Sequence, residues 1–177
     1  MYEPKEQRPK RAWKHLAVIL AAAFAVVILR PWSAGATPCP PKGSVIVVDT
    51  ADGVLTMCAN GEARQTRRVA IGRGGAGKTR RGDNKSPLGD YRLGNPRPSK
   101  RFGTFIPLGY PTATQRKRGY TGSAVGVHGP DRRVRWAGPL NTLVNWTQGC
   151  IAVRSDDAVT QIAAWVKLHK VRLISLR

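Results

Sequence analysis

The stretch "NWTQGCIAV" (residues 145–153) sets a cysteine, Cys150, between a glycine and an isoleucine. Taken alone it fits three different proteins. Cys150 is a small buried apolar residue, or half of a disulfide, or a nucleophile. The choice turns on what else the chain carries and on the compartment it occupies. At 177 residues there is room for one domain with a real core.

The compartment is read from the N-terminus. "MYEPKEQRPKRAWKH" holds five Lys/Arg, and the fourteen residues that follow (16–29, "LAVILAAAFAVVIL") carry no charge. A basic stretch, a short apolar run and the small-x-small Ala34-Gly35-Ala36 compose a secretory signal, with cleavage after Ala36. Fourteen residues fall short of the roughly 20 of a comfortable membrane span. Against cleavage, the basic stretch is long, and Arg30 and Trp32 suit an interfacial anchor. Residues 1–36 are therefore a signal peptide or a signal anchor. Either way residues 37–177 lie outside the cytoplasm, in the periplasmic or cell-wall space, because the basic flank stays inside.

The formal charge is +20, and residues 37–177 keep 24 basic against 8 acidic side chains, a balance of +16. Such a charge ordinarily suggests nucleic acid. Here the basic residues are scattered ("RQTRR", "KTRRGDNK", "QRKR", "DRRVR") and no aromatic–basic nucleic-acid motif accompanies them. An anionic envelope surface is the expected partner instead. "GRGGAGKT" (residues 72–79) matches the phosphate-loop pattern letter for letter. That loop needs a helix starting at Lys78, whose N–H groups hold the phosphates. "RRGDNKSPLGDY" follows, broken by glycines and a proline, so a flexible basic loop without nucleotide is expected.

Residues 37–43 ("TPCPPKG") form a Pro-rich linker. Val45–Val48 and Val54–Cys58 flank Asp52-Gly53 and read as a β-hairpin, with "ARQTRRVAIG" as a third strand. Residues 72–126 are punctuated by Gly and Pro, show no helical period, and offer short strands in "GDYRLG" and "GTFIPLG". "AVGVHG" is a strand ending at His128. The one clear helix follows Ser155, a plausible N-cap, with Val159, Ile162, Ala163, Val166 and Leu168 on its apolar face. "VRLISL" closes the chain as a strand. The fold class is mainly β, a β-rich α+β domain with one helix in its C-terminal half and long loops.

Three cysteines cannot all pair within one chain. Cys39 and Cys58 lie nearest each other, and a bridge between them would staple the linker to the hairpin. Hairpin register puts Cys58 opposite about Ser44–Val47, so that bridge requires Cys39 to fold back. Bridged and unbridged forms both stand here. If these two pair, Cys150 is a free thiol, which an oxidising compartment penalises unless it serves a purpose. Gly149 permits a special turn and lets backbone N–H groups of Gly149 and Cys150 converge on an oxyanion. His128 ends its strand before Gly129, which opens the imidazole to the loop side. Beside the thiol it would lower the thiol pKa from about 8.5. Spacing alone leaves nucleophile and inert core residue equally open for Cys150.

Together these segments resemble the L,D-transpeptidases with the YkuD-type catalytic domain. "VHGP" (His128, Gly129) and "TQGCIAV" (Thr147, Gly149, Cys150) are similar to that family's His-Gly element and its [S/T]-x-G-C motif. "KTRRGDNKSPLGDY" and "GYPTATQRKRG" are similar to its upstream stretches, in the same order, so the likeness covers about residues 44–177. Gln148 and Ala152 depart from the usual letters, and those departures bear on the choice of acyl acceptor. The resemblance implies a β-sandwich or barrel and a peptidoglycan stem-peptide substrate, with Cys150 as nucleophile and His128 as general base and acid. It also implies a loop role for Thr147, and no metal or organic cofactor. Arg154, Trp146 and Tyr110 are candidate substrate contacts, Tyr110 as part of a lid. Hydrolysis at the same site (an L,D-carboxypeptidase or cross-link-cleaving amidase) and a non-catalytic basic wall-binding module are the competing readings.

Overall fold

"SVIVVD" has no polar alternation, the mark of a strand covered on both faces. In a computed structural model that describes residues 39–177, it forms β1 (Ser44–Asp49), whose four central residues are all buried. Ile46 and Val48 enter the main core, while Val45 and Val47 back onto a smaller cluster with Cys58 and Cys39. β1 turns through Gly53, at φ +62°, into β2 (Val54–Ala59). The hairpin register sets Val45 against Cys58. Residues 39–43 fold back along it: Cys39 and Cys58 form a disulfide with Cα atoms 5.5 Å apart. The Gly43 and Pro40 carbonyls accept from the Asn60 and Gly61 N–H groups.

The remaining strands are β3 (Glu62–Ala70), β4 (Gly89–Arg92), β5 (Arg97–Ser99), β6 (Gly103–Pro107), β7 (Gly126–His128), β8 (Ile151–Val153) and β9 (Leu173–Leu176). All nine make one sheet in the order β4-β9-β1-β2-β3-β8-β7-β6-β5. It curls on itself, because a bridge between Leu93 and Leu108, just past β4 and β6, links the first strand of that order to the next-to-last. Two neighbouring pairs are parallel, β1 with β9 and β7 with β8. Parallel neighbours need crossovers. The one between β7 and β8 is a 3₁₀ segment, Arg132–Thr142.

Among the described residues two helices flank the sheet. α1 (Ala113–Lys117) is one turn long and held by a Thr112–Gln115 capping box, too short to leave the periodic signal of a helix. α2 (Asp156–Leu168) is capped by Ser155, whose hydroxyl accepts from the Ala158 N–H, and it buries Ala158, Val159, Ile162, Ala163 and Val166 against β6 and β8. Leu168, expected on that face, is exposed: the stripe 159-162-163-166 continues to 169 or 170 and passes it by. The final strand starts two residues later than expected. Among the described residues no helix is long and apolar enough to cross a membrane, and the apolar run 16–29 lies outside them.

Candidate active site

The turn before β8 is locked from three sides. Thr147 is paired with Gly72, past the end of β3, and its hydroxyl accepts from the Gly149 N–H (3.0 Å) while donating to the Cys150 carbonyl (2.7 Å). Gly149 sits at φ +126°, and a Cβ there would lie 2.5 Å from the Lys85 carbonyl. Ser86, fully buried, donates to the Gly149 carbonyl (3.0 Å) and accepts from the Gly72 N–H (3.0 Å). The upstream "KSPLGDY" therefore acts directly on the cysteine turn.

His128 stands on the adjacent parallel strand. Register aligns Val127 with Ile151 and His128 with Ala152. The paired His128 and Ala152 side chains therefore share one face, and Cys150 lies two residues before Ala152, just ahead of β8. The imidazole is 1% exposed. It stacks on Phe102 (centroids 3.8 Å) and meets Trp146 edge-on (5.9 Å). Nδ1 lies 2.6 Å from the Gly129 carbonyl. A carbonyl only accepts, so Nδ1 carries the proton and Nε2 keeps its lone pair. Burial, against the favourable Gly129 bond, holds the His128 pKa down at about 4, so the ring is neutral near pH 7.

Part of Cys150 reaches solvent, yet protein crowds the sulfur, and this burial pushes the thiol pKa up. The Gly126 N–H and the Lys78 and Arg101 cations oppose that rise without cancelling it. At rest Sγ donates to the Ala124 carbonyl at 3.6 Å. Burial thus works against the acidification expected of the thiol: it raises the Cys150 pKa and lowers that of His128, and both shifts favour the neutral forms.

Other expectations are corrected too. Tyr110 is 5% exposed and forms no lid. It packs edge-on against Tyr91 and donates to the Lys78 carbonyl (3.2 Å), burial pushing its pKa up to about 12. Arg154 is exposed past the far end of β8, four residues from Cys150, roughly 13 Å at strand rise. Gly129 does not open the loop side, since a Cβ there would meet Asp156 Oδ1 (2.9 Å) and the Phe102 carbonyl (3.0 Å). The Gly149 N–H, expected at an oxyanion, is engaged by Thr147. Trp146 does border the site, its Nε1 held by the Asn141 carbonyl, whereas Trp136 is 86% exposed. Of the two departing letters, Ala152 is fully buried beside His128 and Gln148 is exposed.

The basic loop of the phosphate-loop look-alike is tied together by hydrogen bonds and an ion pair. No helix begins at Lys78, and that lysine is buried, its Nζ on Asp83 Oδ1 (2.7 Å) and the Arg80 carbonyl (3.1 Å). Burial would raise the Asp83 pKa, but Lys78 and the N–H groups of Arg80, Thr79 and Lys85 outweigh it, leaving the carboxyl well below the usual range. Sequence reasoning missed Lys78, Asp83, Ser86 and Phe102 as parts of the site. The Asp83 turn had a local signal in "RRGDNK". Phe102, in "SKRFG", had none, because its stacking on His128 is a long-range contact.

A curled β-rich sheet with a cysteine at the mouth of one strand and a histidine on its parallel neighbour defines the class, a cysteine–histidine domain. The L,D-transpeptidase catalytic domain (YkuD) matches residues 43–173, and the chain belongs to that family. The described fold is similar to the crystal structure of the helical cell shape determining protein Pgp2 from Campylobacter jejuni. That likeness has 21% identity and a TM-score of 0.61 over 76% of this chain and 47% of that one. Bd1075 from Bdellovibrio bacteriovorus is also similar, at 22% identity and a TM-score of 0.57, over 77% of this chain and 48% of that one. The chain thus spans about half the length of these solved structures. No curated protein matches it.

Proposed function

We propose that the protein is a peptidoglycan L,D-transpeptidase of the periplasmic or cell-wall space, working through a thioester on Cys150. The observation that carries this reading is the β7–β8 register, which pairs His128 with Ala152, two residues after Cys150, with Nδ1 on the Gly129 carbonyl. In the first half-reaction Nε2 of His128 takes the thiol proton as Sγ attacks the carbonyl of the third, diamino acid residue of a tetrapeptide stem. The C–N bond to the terminal D-alanine breaks, and the same proton passes to its leaving amine. With both neutral forms favoured, the proton moves during attack rather than before it. The Cys150 N–H takes the oxyanion role, since that of Gly149 is held by Thr147. In the second half-reaction an amine of another stem attacks the thioester, gives its proton to His128, and restores the thiol. Membership of a cell-wall family and the likeness to a cell shape determining protein support an envelope role.

Incubating the protein with a disaccharide-tetrapeptide and weighing the products tests this. Dimers short of one D-alanine mean transfer. Tripeptide means that water replaces the amine, and unchanged substrate means a binding module. Cys150→Ala is expected to abolish both products, a loss of at least about 1,000-fold, with an unchanged melting curve. Activity surviving that substitution ends the thioester mechanism.

A further inference from the structure

The segment that links β7 to β8 carries its pattern inside out. Trp136 (86% exposed), Leu140 (60%), Leu143 (67%) and Val144 (67%) stand in solvent within nine positions. Single exposed apolar residues need no explanation, but a cluster on one loop does. In the same segment Asn141 and Thr142 are buried. Asn141 donates to the Arg154 carbonyl (3.2 Å), and its own carbonyl accepts from Trp146 Nε1 (2.8 Å). The polar residues are thus the anchors and the apolar ones the surface. Such a surface is unfavourable in water and suited to an apolar medium.

Charge indicates which medium. The carboxylate of the segment's N-cap, Asp131, is buried and held by Arg101 at 2.7 and 2.6 Å. Arg132 and Arg133 are exposed, so the described surface of this lip pairs apolar bulk with positive charge, on a chain of +20. A Trp and aliphatic side chains beside arginines are the composition of segments that lie in a bilayer interface, the cations on lipid phosphates. We propose that residues 132–144 dock on an anionic phospholipid surface. Trp136, Leu140, Leu143 and Val144 enter the interfacial layer, and Arg132 and Arg133 meet the headgroups. Trp146 joins this lip to His128, so docking sets the catalytic pair beside the membrane surface.

The test uses the full chain with vesicles of phosphatidylcholine and phosphatidylglycerol whose acyl chains carry bromine, a short-range quencher of tryptophan. The chain has five tryptophans, so wild type is compared with Trp136→Phe, and any contribution of the apolar run 16–29 cancels. The expected result is a component of quenching that Trp136→Phe removes. It should weaken several-fold in Leu140→Ser/Leu143→Ser, in pure phosphatidylcholine vesicles, and at high salt. Equal quenching of wild type and Trp136→Phe overturns the proposal. So does a Trp136 component indifferent to lipid charge. Concentration-dependent shielding of Trp136 from acrylamide without lipid would mark the lip as a contact between copies, and also overturns it. None of these readouts depends on enzymatic activity, and Trp136 is too exposed for its substitution to disturb the fold.

Discussion

Cys58 and Cys150 are the same residue in two different settings. Cys58 is fully buried in β2, backs onto Val45 and Val47, and is joined to Cys39. Its chemistry is used up by its partner. Cys150 precedes β8 with no sulfur to meet, and its surroundings are backbone: the Ala124 carbonyl, the Gly126 N–H and a glycine turn fixed by Thr147 and Ser86. The contrast teaches that backbone hydrogen bonds and a glycine, rather than neighbouring charge alone, define a free thiol's geometry.

The largest expected effect comes from disturbing that turn without touching sulfur. Gly149→Ala forces a side chain into φ +126° and within 2.5 Å of the Lys85 carbonyl. It should cost about 3 kcal/mol of stability and at least about 100-fold in activity, read by denaturant melts and product mass. Breaking the other cysteine's setting should cost stability without activity. Cys39→Ser with Cys58→Ser removes a 19-residue link and is expected to lower stability by about 3 kcal/mol. Activity per folded molecule should stay within about two-fold, since additivity holds for separate sites. A large change in the alkylation rate of Cys150 would show the two regions to be coupled.

Acid should separate the settings further. The His128 pKa is about 4 in the fold against an ordinary 6.5, so the unfolded chain binds the proton first. Stability is then lost as pH falls from 6.5 to about 4, by up to about 3 kcal/mol, and levels off below. Asp83, held well below the usual carboxylate range, contributes a second loss confined to pH below its unfolded value of 3.8. Melts of wild type and His128→Gln against pH should differ only in the upper window. The smallest effect is Lys78→Met. The buried ammonium favours the thiolate, and its removal should raise the pH midpoint of Cys150 alkylation. An unmoved midpoint would leave Lys78 a purely structural role.

Much of the scaffold was legible because it rests on local rules. The Asp52-Gly53 turn, the unbroken "VIVV" and the Ser155 cap each write their conformation in adjacent letters. β8 was not read as a strand: "IAV" is three buried residues with no alternation, and only its pairing with Val69 and Ala70 of β3 makes it one. The motif residues Cys150, His128 and Thr147 were visible as letters. Ser86 was visible as a motif but not as a hydrogen-bond donor to Gly149, 63 residues away. Tyr110 was misplaced because an aromatic hydroxyl near a motif in sequence says nothing of where its side chain points.

By itself the sequence determined the β-rich class, the helix, the cysteine–histidine motif and the family likeness, all of which depend on residue type and spacing. Only the tertiary structure decided the parallel β7–β8 register, the Gly129 carbonyl on Nδ1, the engagement of the Gly149 N–H and the bias toward neutral thiol and imidazole. Those follow from which distant segments exclude water from one another. Desolvation and hydrogen-bond direction belong to the packed fold and cannot be read from neighbours along the chain.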